Sequence, residues 1–372
     1  MSFSTAVLMN HTDTLNDKIG VLHQRILESF PQVDRMACAL YDKNDDLLKT
    51  FINSTRHGVA LKAYEFKLSD SKTLSKLIQR RQSRVLSDIE NEITSTSVHT
   101  RWLNDQGYCS SFTIPMFHGD DLLGLVFFDS MEKSVFTDEL QKFLMVYSSL
   151  ISMFILNELA SIRTLTESIR VARDLAEVRD FETGTHLERM ARYSRIIAKS
   201  ISSKFNLSDE FVECVYLFAP LHDVGKIGIP DSILLKPGRL DDQERLMMQS
   251  HVVKGVQIVD RIIGRSSDEN LVNSTILRNI VRAHHEYLDG SGYPLGLKGG
   301  EIPLESRIVT VADIYDALTT SRPYKAVWSQ EEALKELRKM QVEGRLDKDC
   351  VDALFLRRDE LFFIQGKYFD KV

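Results

Sequence analysis

Residues 221–231 read LHDVGKIGIPD and close an apolar run, VECVYLFAPL (212–221). An imidazole and a carboxylate side by side at the end of such a run, His222 and Asp223, are costly to bury unless something compensates them. A cation bridged by the carboxylate is such a compensation. Three residues on, Lys226 adds an ammonium suited to a phosphate oxygen.

The pattern continues on both sides of this stretch. Upstream, Glu182 and His186 in ETGTH stand four apart, so on a helix they share one face. Downstream come His251, then His284 and His285 in HHEYLDGSGYP, then Asp313 in IVTVADIYDAL, where an unpaired carboxylate would again be costly. Neighbouring imidazoles on a helix point apart, so His284 and His285 serve adjacent corners of one metal or two separate metals. A set of imidazoles and carboxylates without cysteine suits iron or manganese better than closed structural zinc. From about residue 157 the chain reads as predominantly helical. That suits ligands converging from several helices of a bundle.

With 372 residues the chain is long for one core and points to two domains. Its net charge of −6 argues against a polymeric nucleic acid as partner, since no basic excess exists to displace counterions. A small anionic ligand needs only a few local cations and stays open. Cys38, Cys109, Cys214 and Cys350 form no CxxC pair, which fits a reduced, cytoplasmic protein. The N-terminus lacks the pattern of a signal peptide, and residues 143–156, interrupted by serines, fall short of a membrane span. No membrane is expected as a partner.

The first part alternates strands and helices. MACALYDKNDDLLKTFI (36–52) reads as two strands around a polar turn, and SSFTIPMF–HGDD–LLGLVFFDS (110–130) as a second hairpin. FTDELQKFLMVYSSLISMFILNEL (136–159) then reads as a helix with Thr137 as its N-cap. This order resembles a GAF domain, a small sensory fold, over roughly residues 15–156. His57, His99, His118, Cys38 and Cys109 show no ligand spacing there and read as surface or core residues. A small-molecule effector for this part is implied without a chemical identity.

Residues 157–180 look like one helix without glycine or proline, with an apolar stripe at Leu159, Ile162, Ile169, Ala172 and Ala176. Two readings stand: an amphipathic helix packed on its own domain, or the seam of a parallel homodimer that carries a signal onward.

HDVGKIGIPDSILLKPGRL (222–240), HHEYLDGSGYP (284–294) and RIVTVADIYDALTTSRPYK (307–325) together resemble the HD-GYP family of cyclic dinucleotide phosphodiesterases, over about residues 170–355. The resemblance implies hydrolysis of cyclic di-GMP to linear pGpG, with GMP as a further product in some members. It implies metal ligands at His222, Asp223, His251, His284, His285 and Asp313, with Asp223 as the bridge. Glu182 and His186 match a subset able to hold a further ion. Two or three divalent ions are thus implied, iron first and manganese as the alternative. The implied chemistry is attack by a hydroxide held between two ions on a bridging phosphorus. Asp223 and Lys226 would carry catalysis, and Lys226, Tyr293, Arg322 and Lys325 would contact the substrate.

Other residues near these motifs have plainer readings. Arg189 orients a ligand or pairs with a carboxylate, and Glu286 and Asp289 support the site or cap the loop. Lys236 and Lys298 read as solvated charges, Tyr287 and Tyr315 as packing residues. One stretch departs from the family: EGRLDKDCV (343–351) has Lys348 where a proline would stiffen the turn.

The expected architecture is an α+β, GAF-like sensory domain (1–156), a connecting signalling helix (157–180) and an all-α HD-type helical bundle (170–372). Two functional alternatives remain. The same chemistry could act on a mixed cyclic dinucleotide, cyclic GMP-AMP, or the C-terminal part could bind such a ligand without turnover.

Overall fold

The structure, a computed structural model, describes residues 14–93, 98–175, 184–263, 273–320 and 328–369. It divides into two compact units, one of Met1–Ala160 with Ser208–Glu210 and the other of Ser161–Leu207 with Phe211–Val372.

The first unit is built on a six-stranded antiparallel sheet, β1 (Arg35–Asp42), β2 (Leu47–Thr55), β3 (Glu65–Lys67), β4 (Arg84–Leu86), β5 (Ser110–His118) and β6 (Asp121–Ser130). The spatial order is β3-β2-β1-β6-β5-β4, so both expected hairpins are present and meet through β1 and β6. Alternation along the strands sends Met36, Cys38, Leu40, Val126 and Phe128 into one core. Helix α1 (Leu15–Ser29), capped by Thr14 and Asp17 in a reciprocal capping box, lays Ile19, Leu22 and Ile26 on that core. Three shorter helices follow: α2 (Lys72–Arg80), α3 (Ile89–Glu92) and α4 (Val98–Asp105). Ala39, Leu125 and Phe127 face the other way and pack with Leu74 and Leu77 of α2.

Helix α5 runs over Asp138–Leu175, so the two helices expected from sequence are one, and the division between units falls within it. Its Leu140, Leu144, Ile151 and Ile155 are buried in the first core. Residues 143–156, expected to fall short of a membrane span, lie within Asp138–Ala160, which is long and apolar enough for one by length and composition alone; Met145, Val146, Leu150 and Met153 on it are exposed. For the stripe read either as packing on its own domain or as a homodimer seam, the described residues favour packing within the units. Leu159 packs on the first unit's core and Ile162 is buried in the second's, while Ala176 lies outside the described residues.

Among its described residues the second unit has no named strand and is built of α6 (Gly184–Phe205), α7 (Asp209–Phe218, entering the unit at Phe211), α8 (Asp231–Leu234), α9 (Asp242–Gln249), α10 (His251–Ile263), α11 (Ser274–Ala283), α12 (Leu304–Thr319), α13 (Gln330–Val342), α14 (Lys348–Leu356) and α15 (Arg358–Lys367). One apolar cluster joins α6, α7, α10, α11, α12, α13, α14 and α15. At its centre Tyr193 and Tyr315 meet edge to face, 5.0 Å between ring centroids. The turn without the expected proline is made by other means. Gly344 takes φ +81°, Leu346 is buried, and Asp347 caps α14 by accepting from the backbone N–H of Asp349 and Cys350 at 2.9 and 3.3 Å.

Candidate metal centre

Two short 3-10 turns, Ala219–Leu221 and Val224–Gly228, follow α7 and leave His222 and Asp223 between them. The turn after Asp223 lies against α10 at a crossing of Gly225 and Gly255. A Cβ on Gly225 would stand 1.8 Å from the carbonyl oxygen of His251 and 2.5 Å from the nitrogen of Gly255. This contact brings Asp223 to His251 at the start of α10. His284 ends α11, His285 follows it, and Asp313 projects from the middle of α12.

The result is two groups of ligand atoms, each within 4.8 Å of one another. Asp223, His251, His284 and His285 form one, and His186, His222 and Asp313 the other. Asp223 links them. Its Oδ1 lies 2.9 Å from His251 Nε2 and 3.4 Å from His284 Nε2, while its Oδ2 lies 3.3 Å from His222 Nε2 and 2.9 Å from Lys226 Nζ.

The tautomers follow from hydrogen bonds on the far side of each ring. His222 Nδ1 lies 2.9 Å from the carbonyl of Ala219, His251 Nδ1 2.7 Å from that of Met248 and His284 Nδ1 3.0 Å from that of Ile280. His186 Nδ1 lies 2.7 Å from Asp316 Oδ2. A carbonyl or carboxylate only accepts, so every Nδ1 carries a proton, and in the neutral rings every Nε2 presents a lone pair.

This arrangement fits a metal. His251 Nε2, His284 Nε2 and Asp223 Oδ1 are buried and close together, yet none makes a geometrically sound hydrogen bond. Acceptors facing acceptors in the interior repel unless a cation sits among them. Adjacent ligands of an octahedral ion with bonds near 2.1 Å stand about 3 Å apart, which is the spacing seen here.

Electrostatics agree with that reading. Burial alone would push the Asp223 carboxyl up, but attraction led by the Lys226 ammonium holds it well below the usual range. Burial, then the neighbouring imidazoles, lower His284, and burial with His284 beside it lowers His285 further. Both rings therefore stay neutral and ready to ligate. Burial and the carboxylates of Asp223 and Asp313 raise the Tyr293 phenol, so it remains a proton donor.

Seven of the eight residues singled out as ligands thus come together, and His284 and His285 share one group with ring centroids 4.1 Å apart. Glu182, Arg322 and Lys325 lie outside the described residues. The Tyr293 ring packs on His285 at 4.6 Å. Glu286, left open between site support and loop cap, is a loop cap: its two oxygens accept from Leu295 N at 2.7 Å and Leu297 N at 3.0 Å. Asp289 caps too, through Ser291. Lys236 is not a free solvated charge, because its ammonium lies 2.5 Å from a Glu244 oxygen. The residue that sequence reading passed over is Asp316, three beyond Asp313. An acid inside an apolar helix stretch was its signal, already spent on Asp313.

In the first unit a narrow pocket of about 40 Å³ opens on the β1–β2 face, walled by Tyr64, Phe66, His99 and Phe127, with Arg35 and Thr50 as polar edges. Arg35 is buried against Asp129, and Trp102 covers its guanidinium. Burial, helped by Arg35, pushes His99 down to about 4, and burial pushes the Cys38 thiol up to about 12. Both line this pocket as neutral groups, Cys38 from within the core and His99 half-buried, in keeping with the surface-or-core reading.

Comparison with known proteins assigns a family to each of these two units. Residues 24–155 match the GAF domain family and residues 170–350 the HD domain family. The chain joins a GAF domain to an HD domain. Over 200 residues it is 44% identical to the "Cyclic di-GMP phosphodiesterase response regulator RpfG" of Xanthomonas campestris, covering 54% of this chain and 49% of that one. A "Cyclic di-GMP phosphodiesterase" of Thermotoga maritima is 42% identical, over 53% of this chain and 50% of its own length. A "3'3'-cGAMP-specific phosphodiesterase 2" of Vibrio cholerae is 38% identical, over 55% and 37%. The chain spans about half the length, or less, of these relatives.

Proposed function

We propose that the HD domain is a metal-dependent phosphodiesterase that opens cyclic di-GMP to linear pGpG and carries some of it on to GMP. The observation that carries this reading is Asp223, whose two oxygens face two separate groups of histidines and carboxylate. Asp223, His251, His284 and His285 would hold one divalent ion, and His186, His222 and Asp313, with Asp223 shared, a second. Glu182 would join His186, or help to hold a third. Iron is the first choice and manganese the alternative, given the mixed nitrogen and oxygen donors. Such ions, when bound, supply Lewis acidity toward phosphoryl oxygens and acidify water.

The chain's own groups would do the rest. Asp223 fixes the spacing of the two groups and stays ionised. Lys226, 2.9 Å from Asp223 Oδ2, offers its ammonium to a phosphate oxygen at the same edge. Tyr293 donates its retained phenolic proton to another. Arg322 and Lys325 would contact the substrate's phosphate or bases.

Full-length protein purified anaerobically and loaded with iron or manganese is expected to convert cyclic di-GMP to pGpG, with a higher kcat/KM than for cyclic GMP-AMP. A clear preference for the mixed ring would change the substrate, a reading that the similarity to a cGAMP-specific enzyme keeps in play. Full metal occupancy without cleavage of either would leave a ligand-binding regulator.

The GAF pocket would receive a small molecule, its aromatic wall suiting a planar ligand and its Arg35 edge an acceptor group. A compound that binds there is expected to raise the melting temperature of the protein and to change the phosphodiesterase rate. Both effects should vanish in Ala37→Phe, which fills the pocket. Rate changes that survive the filled pocket would place the effector elsewhere. A cytoplasmic location and a homodimer through α5 complete the proposal, the latter weakened by the packing of Leu159 and the burial of Ile162 within the units.

A further inference from the structure

Asp316 lies inside the second unit with 1% of its side chain exposed, and its carboxylate is a crossroads. Oδ2 accepts from His186 Nδ1 at 2.7 Å. Arg189 grips both oxygens, Nε to Oδ1 at 2.6 Å and Nη2 to Oδ2 at 3.1 Å. Such a fork fixes a carboxylate in direction as well as place. His186 and Arg189 stand three apart on α6, hence on one face, and Asp316 reaches both from α12.

Arg189 is held in turn. Its Nη2 donates to Thr320 Oγ1 at 3.1 Å, and its Nη1 to the main-chain carbonyl of Tyr368 at 2.8 Å. Tyr368 stands just past α15, and its ring lies under the guanidinium of Arg192 at 4.6 Å, one further step of three along α6. Two arginines of α6 thus hold Tyr368 near the C-terminus, one by its carbonyl and one by its ring.

We propose that Asp316, Arg189 and the Tyr368 carbonyl form a positioning relay that aims His186, and so sets occupancy of the metal pocket that His186 shares with His222 and Asp313. The relay rests on the metal-centre reading above and deepens it. The other pocket has no such dependence, since His251 and His284 are aimed by carbonyls of neighbouring backbone. Partners of this kind fix the ligating nitrogen, and losing one weakens metal binding about 10- to 100-fold. Asp316→Asn would keep the shape but present an amide N–H₂ to donors on either side. Arg189→Met would remove the fork, and truncation after Lys367 would remove the carbonyl it reaches.

The test is Mn²⁺ titration of the full-length protein and these three variants, followed by metal analysis and by electron paramagnetic resonance. Circular dichroism would verify folding, and Arg189→Lys would serve as the conservative rescue. The wild type should bind two ions and show the spectrum of a coupled pair. Each variant should keep one ion at wild-type affinity, bind the other about 10- to 100-fold more weakly and show an isolated-ion spectrum, with Arg189→Lys in between. Variants that bind both ions as the wild type does, or lose both equally, would overturn the relay alone. Wild-type protein that takes up no Mn²⁺ or iron would overturn the metal centre and the relay with it.

Discussion

Asp223→Asn is expected to lower kcat/KM for the cyclic dinucleotide about a thousandfold or more and to remove at least one bound ion. The carboxylate meets His251 and His284 through one oxygen and His222 and Lys226 through the other, so a neutral amide weakens both groups at once. Its N–H₂ would also face at least one of these groups with donors where an anion had stood. Metal Lewis acidity contributes several kcal/mol to the transition state, and each 1.4 kcal/mol or so is tenfold in rate. Steady-state assay and metal analysis on one preparation would check this. A variant that keeps both ions and more than about a tenth of the activity would sink the shared-carboxylate reading.

Gly225→Ala is the second large effect. The added methyl would overlap the His251 carbonyl oxygen at 1.8 Å and the Gly255 nitrogen at 2.5 Å, and both are backbone atoms with no rotamer to yield. Overpacking of this kind costs about 3 kcal/mol or more where the neighbours cannot move. The turn and α10 must then part, which draws Asp223 away from His251. Urea unfolding should show the lost stability, and metal binding in the pocket of His251 should weaken with it. Gly228→Ala is the control. Its methyl would meet the flexible Lys254 side chain, with Cδ 2.9 Å away, and is expected to cost less than about 1 kcal/mol. Equal losses from the two substitutions would show that the Gly225–Gly255 crossing has no special role.

Local signals in the sequence were enough to find four of the six strands, β1, β2, β5 and β6, and most of the candidate metal site. Alternation in residues 36–52 and 110–130 marked both hairpins because each closes over a short turn. The pairing of β1 with β6 was not legible, since it joins Arg35 to Asp129 across most of the domain. His222, Asp223 and Asp313 stood out because polar groups in apolar stretches need partners, His284 and His285 as neighbouring imidazoles, and His251 through the resemblance to the HD-GYP family. Their sorting into two groups was hidden, because it depends on how helices far apart in the chain cross. Asp316 was given no role, for its partners His186 and Arg189 lie some 130 residues away. The Asp347 cap shows the reverse case, where a missing proline seemed to leave a gap that an ordinary capping aspartate fills.

Three of the histidines are aimed by main-chain oxygens, those of Ala219, Met248 and Ile280. A carbonyl is common to every residue type, so these three positions can drift in identity without disturbing the rings they hold. What must be kept is the local course of the backbone. The site therefore depends on places that carry no signature, and a homologue could change all three side chains and keep its imidazoles aimed. Asp316 has no such latitude, because it holds His186 through its own side chain.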